Sequence, residues 1–331
     1  MLIDDVRGSD LIRSALGEKA HDKLRLDLES AQRFVLAEDF AEAATQISKT
    51  NMAAFSRCVS ACRPPFPTSW IEVAQAHRRS FSADNSNVPM SEAVSRVGIL
   101  VTQQSNDGMS YIVELFFRSA SRVGMSTVST LIDLREHGNE AKSARHLTHE
   151  ELMELRKRLS AGFSGENLEA ALEIECMTAP VFHVRTRELI DRITTTLGVS
   201  GAREITAVDQ SSWDGEVMFW LSAIALLNTR NVGSRDGVDV SKLNQKRVAR
   251  GELPLLSYET CRIDRARDRN PNANGGDIRY AGKRAHFVRG HFKLRKTGVF
   301  WWRPAVRGDA SLGIKLKAYD VRHGPVAHRA A

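Results

Sequence analysis

Apolar residues in the N-terminal part of the chain recur at helical spacing. Phe34, Ala41 and Ala44 follow this period, and no proline interrupts residues 9 to 62. The proline-rich residues 63 to 67 then end the pattern, because proline cannot continue a helix. The first sixty or so residues are therefore predicted to be helical.

Short apolar runs separated by Ser, Asn, Asp and Gly follow. They predict strands at residues 70 to 76, 97 to 103, 111 to 118 and 128 to 134. Between the second and third of these, residues 105 to 108 read Ser-Asn-Asp-Gly, which tolerate positive φ and favour a hairpin. An antiparallel sheet is the natural interpretation.

A helical block comes next. Thr148 and Glu151 fit a capping box that opens a helix ending near residue 161. Further helices are predicted at residues 166 to 177, 183 to 197 and 212 to 228. The last of these is apolar for three turns, so it is expected to be surrounded by protein on most sides.

The C-terminal region mixes a helix with strands. A short cationic helix from Val240 is predicted to end at Gly251, because glycine adopts the left-handed conformation that closes a helix. Four strands are predicted after it, near residues 255 to 263, 284 to 294, 298 to 303 and 313 to 321.

These elements predict an α+β fold with N-terminal helices, an antiparallel sheet, a central helical block and a small basic antiparallel sheet at the C-terminus. The predicted regions are a helical segment at residues 1 to 63, a sheet region at 64 to 147, a helical region at 148 to 229 and a basic α+β module at 230 to 331.

Charge is distributed unevenly along the 331 residues. The net charge is +7, but residues 230 to 331 carry 23 Lys and Arg against 9 Asp and Glu. Residues 1 to 229 carry 24 against 31, a net charge of −7. Cations that neutralise phosphates release condensed counterions, and interleaved aromatic rings stack on bases. The basic region therefore favours nucleic acid as a partner.

Membrane and metal chemistry find little support in the sequence. The longest apolar stretch, residues 217 to 227, is shorter than the roughly 20 residues that cross a bilayer. The N-terminus does not resemble a signal peptide, so a cytoplasmic location is expected. Cys58 and Cys62 lack the spacing of a zinc site, and four cysteines predict buried thiols rather than a disulfide framework. No cofactor is expected.

Asp209, Asp214 and Glu216 stand at the predicted start of the apolar helix and raise the question of a magnesium site. Ser211 followed by Asp214 is also how a helix N-terminus is capped, and we interpret these residues in that way. The sequence contains no P-loop, dinucleotide fingerprint, zincin motif or nucleophile elbow. An enzyme is therefore the less favoured class.

His286 and His291 stand beside Arg289 and Lys293, a set that suits a metal-independent ribonuclease. One imidazole would accept the 2′-hydroxyl proton, and a cation would stabilise the phosphorane. Their five-residue separation places the rings on opposite faces of a regular strand, so cooperation requires a turn or bulge at Gly290. Packing or passive phosphate binding is the competing interpretation.

Trp301 and Trp302 are adjacent, so on a strand one indole faces the core and the other faces solvent. The outward one is a candidate for stacking on a base. On the cationic helix, Lys246 and Arg250 lie one turn apart and favour contact with a phosphate backbone, although a solvated helix face has the same pattern.

Two strings in the basic region are distinctive. They are N-x-x-R-x-x-x-G-x-x-P-L, at residues 244 to 255, and R-G-H-x-K, at residues 289 to 293, followed by a Trp-rich strand. Over about a hundred residues the chain resembles uncharacterised proteins encoded by bacteriophages, prophages and plasmids, and residues 65 to 72 resemble their N-terminal half more loosely. The resemblance implies an origin in a mobile element and no particular activity.

We therefore expect a phage- or prophage-derived cytoplasmic protein that binds DNA or RNA through its basic C-terminal module. One alternative is the ribonuclease described above. Another is a virion or host-takeover protein whose basic region meets an acidic protein. The residues expected to contact nucleic acid are Lys246, Arg247, Arg250, Arg284, Arg289, His291, Lys293, Arg295, Trp301, Trp302 and Arg303.

Overall fold

The structure is a computed structural model. It describes residues 1–50, 52–78, 94–120, 122–136, 147–229, 235–263, 284–288, 291–295, 298–302, 305–307 and 309–315.

Helices and strands alternate irregularly along these ranges. The α-helices are α1 (Leu2–Arg7), α2 (Asp10–Leu16), α3 (Glu18–Ser30), α4 (Glu38–Thr50), α5 (Met52–Ser56), α6 (His149–Leu159), α7 (Glu166–Cys176), α8 (Val184–Leu227) and α9 (Ser241–Val248). Short 3-10 helices occur at Val59–Cys62, Gln75–Arg78 and Leu134–Glu136. The strands are β1 (Gln32–Leu36), β2 (Thr68–Ala74), β3 (Val94–Gln103), β4 (Ser110–Ser119), β5 (Val123–Asp133), β6 (Thr178–Val181), β7 (Arg235–Val238), β8 (Tyr258–Cys261), β9 (Arg284–Val288), β10 (His291–Arg295), β11 (Gly298–Trp302), β12 (Ala305–Arg307) and β13 (Asp309–Lys315). The α+β class is confirmed.

An eight-stranded mixed sheet organises most of the chain, with the strand order β6-β5-β4-β3-β2-β1-β8-β7. Strands β2 to β6 pair antiparallel with one another in chain order, and β2 to β5 correspond to the four strands predicted from the sequence. The predicted hairpin between β3 and β4 is also present. Gly108 adopts a φ of +67° there, which a residue with a Cβ would find strained.

Strand β1 corrects the prediction of a helix through residues 32 to 36. Phe34 and Val35 suit a pleated, half-buried surface. β1 pairs in parallel with β2 on one edge and with β8 on the other. Both partner strands are remote in sequence, so the spacing of apolar residues around β1 does not predict the pairing. The helical period resumes only with α4.

The helical block follows the prediction at its start and departs from it later. The capping box of Thr148 and Glu151 is present at the start of α6. Helix α8 covers both of the last two predicted helices and is interrupted at Gly198, whose φ of 74° and ψ of 172° are not helical. The first of these two predicted helices therefore ends where expected, at residue 197, whereas the second begins well before residue 212. The predicted cap at Ser211 and Asp214 is wrong, because these residues lie in the interior of α8.

The two other acidic residues of that predicted cap bind neighbouring elements instead. Asp209 accepts hydrogen bonds from the backbone N and the hydroxyl of Thr127 on β5, at 2.7 and 2.8 Å. Glu216 accepts a hydrogen bond from buried Arg78 at 2.8 Å and one from Trp220 at 3.1 Å. The two carboxylates therefore connect α8 to β5 and to the 3-10 helix that ends at Arg78.

Alternation along the central strands separates two hydrophobic cores, one on each face of the sheet. The first core joins residues such as Ile71 and Ile99 to helices α4, α5 and α7 and to the C-terminal part of α8. The second joins Trp70, Leu100 and Phe116 to helices α1 to α3 and to the N-terminal part of α8.

Residue 230 is not a boundary in this fold. Strands β7 and β8 belong to the central sheet, so the basic region does not begin with a separate module. The chain divides into one unit of residues 1–265 and 292–301 and a second of residues 266–291 and 302–331.

The predicted strand at residues 284 to 294 is two strands. β10 and β11 form a two-stranded sheet, whereas β9 lies in a three-stranded sheet with β12 and β13. In the three-stranded sheet β9 pairs antiparallel with β12 and parallel with β13. Residues 316 to 321 of the last predicted strand lie outside the described residues.

Candidate nucleic-acid interface

The hairpin of β10 and β11 is anchored in the first core by aromatic side chains. Phe292 is buried, and its ring centroid lies 5.0 Å from that of Trp301 and 6.3 Å from that of Phe55 on α5. Trp301 is 2% exposed, and Val299 packs against the same core. Because one face of the hairpin is fixed in this way, the orientation of the other face is determined.

The opposite face of the hairpin carries cations beside an aromatic ring. Lys293 and Arg295 are exposed and, two residues apart on β10, share the face opposite Phe292. Phe300 adjoins Trp301 on β11, so it points away from the core, and it is half-buried. The guanidinium of Arg295 lies over the Phe300 ring, 5.5 Å from its centroid. We call Lys293, Arg295 and Phe300 the hairpin face.

The two tryptophans named from the sequence differ in position. Trp301 is the indole that fills the core, as expected for one of the two, and it would have to leave the core to stack on a base. Trp302 is half-buried at the end of β11. Trp302 stands two residues after Phe300 on β11, so it lies on the same outward face. Phe300, whose ring lies beside the guanidinium of Arg295, is a further aromatic of that face, which the sequence reasoning did not select.

Helix α9 presents a second set of cations. None of its eight residues, all of which the structure describes, is buried. Lys242, Lys246 and Arg250 follow one another at intervals of four, so they lie along one side of the helix and its first following turn. All three are exposed, and within the described ranges none of them makes an ion pair. A cationic stripe of this kind suits a polyanion.

Arg247 lies on the same helix and contacts the turn that follows it. Its Nε donates to the carbonyl of Leu253 at 2.9 Å, and its Nη1 lies 2.9 Å from a carboxylate oxygen of Glu252. Asn244 brackets the backbone of Leu255, donating to its carbonyl and accepting from its N–H.

The N-x-x-R-x-x-x-G-x-x-P-L string is therefore explained by local structure. Gly251, with a φ of +72°, turns the chain after α9. The returning segment docks on α1, where Arg7 donates to the carbonyl of Pro254 and Asp4 accepts from the N–H of Leu256. The spacing of this string specifies how the chain turns and returns after the helix.

The remaining predicted contacts fall where less is described. Arg289 and Arg303 lie outside the described residues, and the side chains of Arg284, His286 and His291 are not described. His286 is on β9 and His291 on β10, which belong to two different sheets. The sequence predicted that both histidines lie on one strand, on its opposite faces. They lie on two strands instead.

A buried ionic cluster lies between α3, β4 and the start of α8, and the sequence did not predict it. Arg185, at the start of α8, donates from Nε to both oxygens of Glu114 on β4 at 3.0 and 3.1 Å, and from Nη1 to Asp27 on α3 at 2.6 Å. Nδ1 of His183 lies 3.6 Å from Glu114. Arg185 and Glu114 are each 1% exposed.

Charge compensation keeps Glu114 and Arg185 ionised. Burial works to raise the pKa of Glu114, but the neighbouring His183 and Arg185 outweigh it and hold that pKa below its ordinary value. Burial likewise works to lower the pKa of Arg185, and Glu114 and Asp27 raise it instead. The cluster is a cross-link between β4, α3 and α8.

The predicted buried thiols are present. All four cysteines are described, buried and free of disulfides. Burial raises the pKa of Cys58 and Cys62, and it raises the pKa of Cys261 to about 12. Cys58, Cys62 and Cys261 are therefore protonated at neutral pH.

No family model, curated protein or solved structure matches the chain. Over the parts of the chain that the structure describes, no three or more His, Cys, Asp or Glu side chains group as metal ligands would. Helices in those same parts are too short or too polar to span a bilayer.

Proposed function

We propose that this protein binds nucleic acid through the hairpin face, with the cations of α9 as a second contact, and that it originates from a phage or prophage and acts in the cytoplasm of the host cell. The observation that carries the proposal is that two exposed cations, Lys293 and Arg295, share the outward face of a core-anchored hairpin with Phe300, whose ring lies beside Arg295. Phosphates and bases offer the complementary groups.

The distribution of charge supports the same function. The body holds many of its arginines in ion pairs, such as Arg96 with Glu72 and Arg118 with Asp5. Residues 230 to 331 contain 23 Lys and Arg and 9 Asp and Glu, so this region carries a net positive charge. A region of net positive charge attracts a polyanion over a distance set by ionic strength.

Salt dependence of binding tests the proposal. The full chain is the correct reagent, because β7 and β8 are part of the central sheet. Its dissociation constant is measured for single- and double-stranded DNA and RNA over a series of salt concentrations. We expect the logarithm of affinity to fall linearly with the logarithm of salt, by about 0.7 to 0.9 per neutralised phosphate. An affinity that does not change with salt would overturn the proposal.

A charge-matched pair of variants locates the contact. Lys293→Gln with Arg295→Gln is expected to weaken binding and to reduce the salt slope by about 1 to 2. Arg57→Gln with Lys157→Gln removes the same charge from side chains that are 74% and 81% exposed in the acidic part of the chain. Equal losses in the two double variants would mean that net charge, and not the hairpin face, determines binding.

A further inference from the structure

The geometry of the hairpin face also indicates which form of nucleic acid it accepts. Phe300 is held on a strand whose next residue, Trp301, is fixed in the core, so the direction of the ring is determined by the fold. Anchoring of this kind lowers the entropy that an aromatic contact loses when a ligand binds.

Arg295 and Phe300 together form one composite surface. The guanidinium lies 5.5 Å from the ring centroid, within the range of a cation–π contact. Guanidinium groups and aromatic rings each stack on nucleobases, and Lys293 on the same strand face supplies a charge for the adjoining phosphate. The three side chains therefore combine the two contacts that a nucleotide requires.

A paired duplex exposes few base faces on which such a surface could stack. Its bases are stacked on one another, so an aromatic ring on a hairpin meets only the sugar and phosphate edge unless a base is turned out, which costs a few kcal/mol. An unpaired strand exposes the faces of its bases without that cost.

We propose that Phe300 and Arg295 form a base-stacking platform and that the ligand of the hairpin face is single-stranded nucleic acid. This inference rests on the proposed function and specifies its ligand. Stacking on Phe300 provides the preference for unpaired bases, whereas Lys293 and Arg295 attract phosphates of either form.

The test compares Phe300→Leu with the unaltered protein, using labelled oligo(dT), oligo(U) and a blunt DNA duplex as probes. We expect affinity for both single strands to fall about 5- to 100-fold and affinity for the duplex to change less than about 2-fold, given the usual contribution of one stacked base. Phe300→Trp retains a stacking surface and is expected to keep single-strand affinity. DNA and RNA strands are distinguished by the first two probes.

Phe66→Leu is the matched control. Phe66 is 41% exposed, its ring stacks on that of Phe34 of β1, and it lies outside the basic region. Its affinity for every probe should be unchanged. Thermal unfolding of each variant shows whether the hairpin is still anchored.

The outcomes separate this inference from the proposed function. If Lys293→Gln with Arg295→Gln weakens binding but Phe300→Leu leaves single-strand affinity unchanged, the platform is wrong and the phosphate contact stands. If Phe300→Leu weakens duplex and single strands equally, the preference for unpaired bases is wrong. If the unaltered protein binds none of the probes, the proposed function itself is wrong.

Discussion

Arginine has opposite roles in the body of this protein and in its basic C-terminal region. Arg185 is 1% exposed, and its guanidinium is held by Glu114 and Asp27. Arg295 is exposed on the hairpin, and its guanidinium lies over the ring of Phe300. One side chain joins parts of the fold, and the other is presented at the surface. A cation therefore indicates a binding site only when its partners in the fold are known.

The same contrast occurs between two neighbouring residues of α9. Arg247 binds Glu252 and the carbonyl of Leu253, whereas Lys246 is exposed and makes no ion pair with any residue of the described ranges. Two cations that are adjacent in sequence can therefore differ in function, because their contacts in the fold differ.

Removing Arg185 is the strongest challenge to this comparison. Arg185→Leu leaves Glu114 buried without its partner, and we expect the free energy of unfolding to fall by about 3 to 5 kcal/mol. Urea denaturation measures the loss. Arg187→Leu, at an exposed position two residues further along α8, should change stability by less than about 0.5 kcal/mol. Equal effects at the two positions would show that burial of Arg185 does not matter.

Acid should reduce the stabilisation that the same cluster gives to the folded protein. The pKa of Glu114 is below its ordinary value of 4.5 in the folded protein, so the unfolded chain binds its proton more readily. The stabilisation is therefore fully present above pH 4.5 and is lost as the pH falls through the folded pKa. We expect a smaller effect than for Arg185→Leu, because a protonated carboxyl still forms hydrogen bonds.

Glu114→Gln isolates that contribution. Other carboxylates with lowered pKa, such as Asp133 beside Arg135, titrate in both proteins and cancel when the two are compared. The difference in unfolding free energy between the unaltered protein and Glu114→Gln should therefore shrink as the pH falls below 4.5. A difference that is constant with pH would contradict the assignment.

Local patterns predicted the elements whose partners are close in sequence. Strands β2 to β5, the hairpin turn at Gly108 and the capping box at Thr148 all depend on residues a few positions apart. β1 was missed because its parallel partners are remote, and the predicted cap at Ser211 was wrong because α8 continues through it. Long-range pairing overrides local propensity in both cases.

The candidate site was predictable in its charge and not in its geometry. An excess of Lys and Arg in the C-terminal region is visible in the sequence, and so is the alternation that makes only one of two neighbouring tryptophans face outward. Which tryptophan enters the core depends on Phe55 and the rest of the first core. The contacts of Arg247 were not predictable, because its partners lie in a turn whose path the spacing does not give.

Helix α9 offers the smallest and most selective test of the comparison. Arg247→Ala removes the hydrogen bond to the carbonyl of Leu253 and the ion pair with Glu252, and we expect it to lower the free energy of unfolding by about 1 kcal/mol. Lys246→Ala removes a charge of the same sign from the adjacent position and should change stability by less than about 0.5 kcal/mol. Urea denaturation of both variants gives these values.

Binding should rank the two variants in the reverse order. Lys246→Ala is expected to reduce the salt slope of nucleic-acid affinity by up to about 1, since an exposed lysine neutralises phosphate, whereas Arg247→Ala leaves that slope unchanged while α9 remains folded. Because the two positions are adjacent and lose the same charge, general electrostatics cannot separate them. If both variants lose affinity equally, Arg247 belongs to the interface despite its contacts. If neither does, α9 contributes nothing and binding rests on the hairpin face alone.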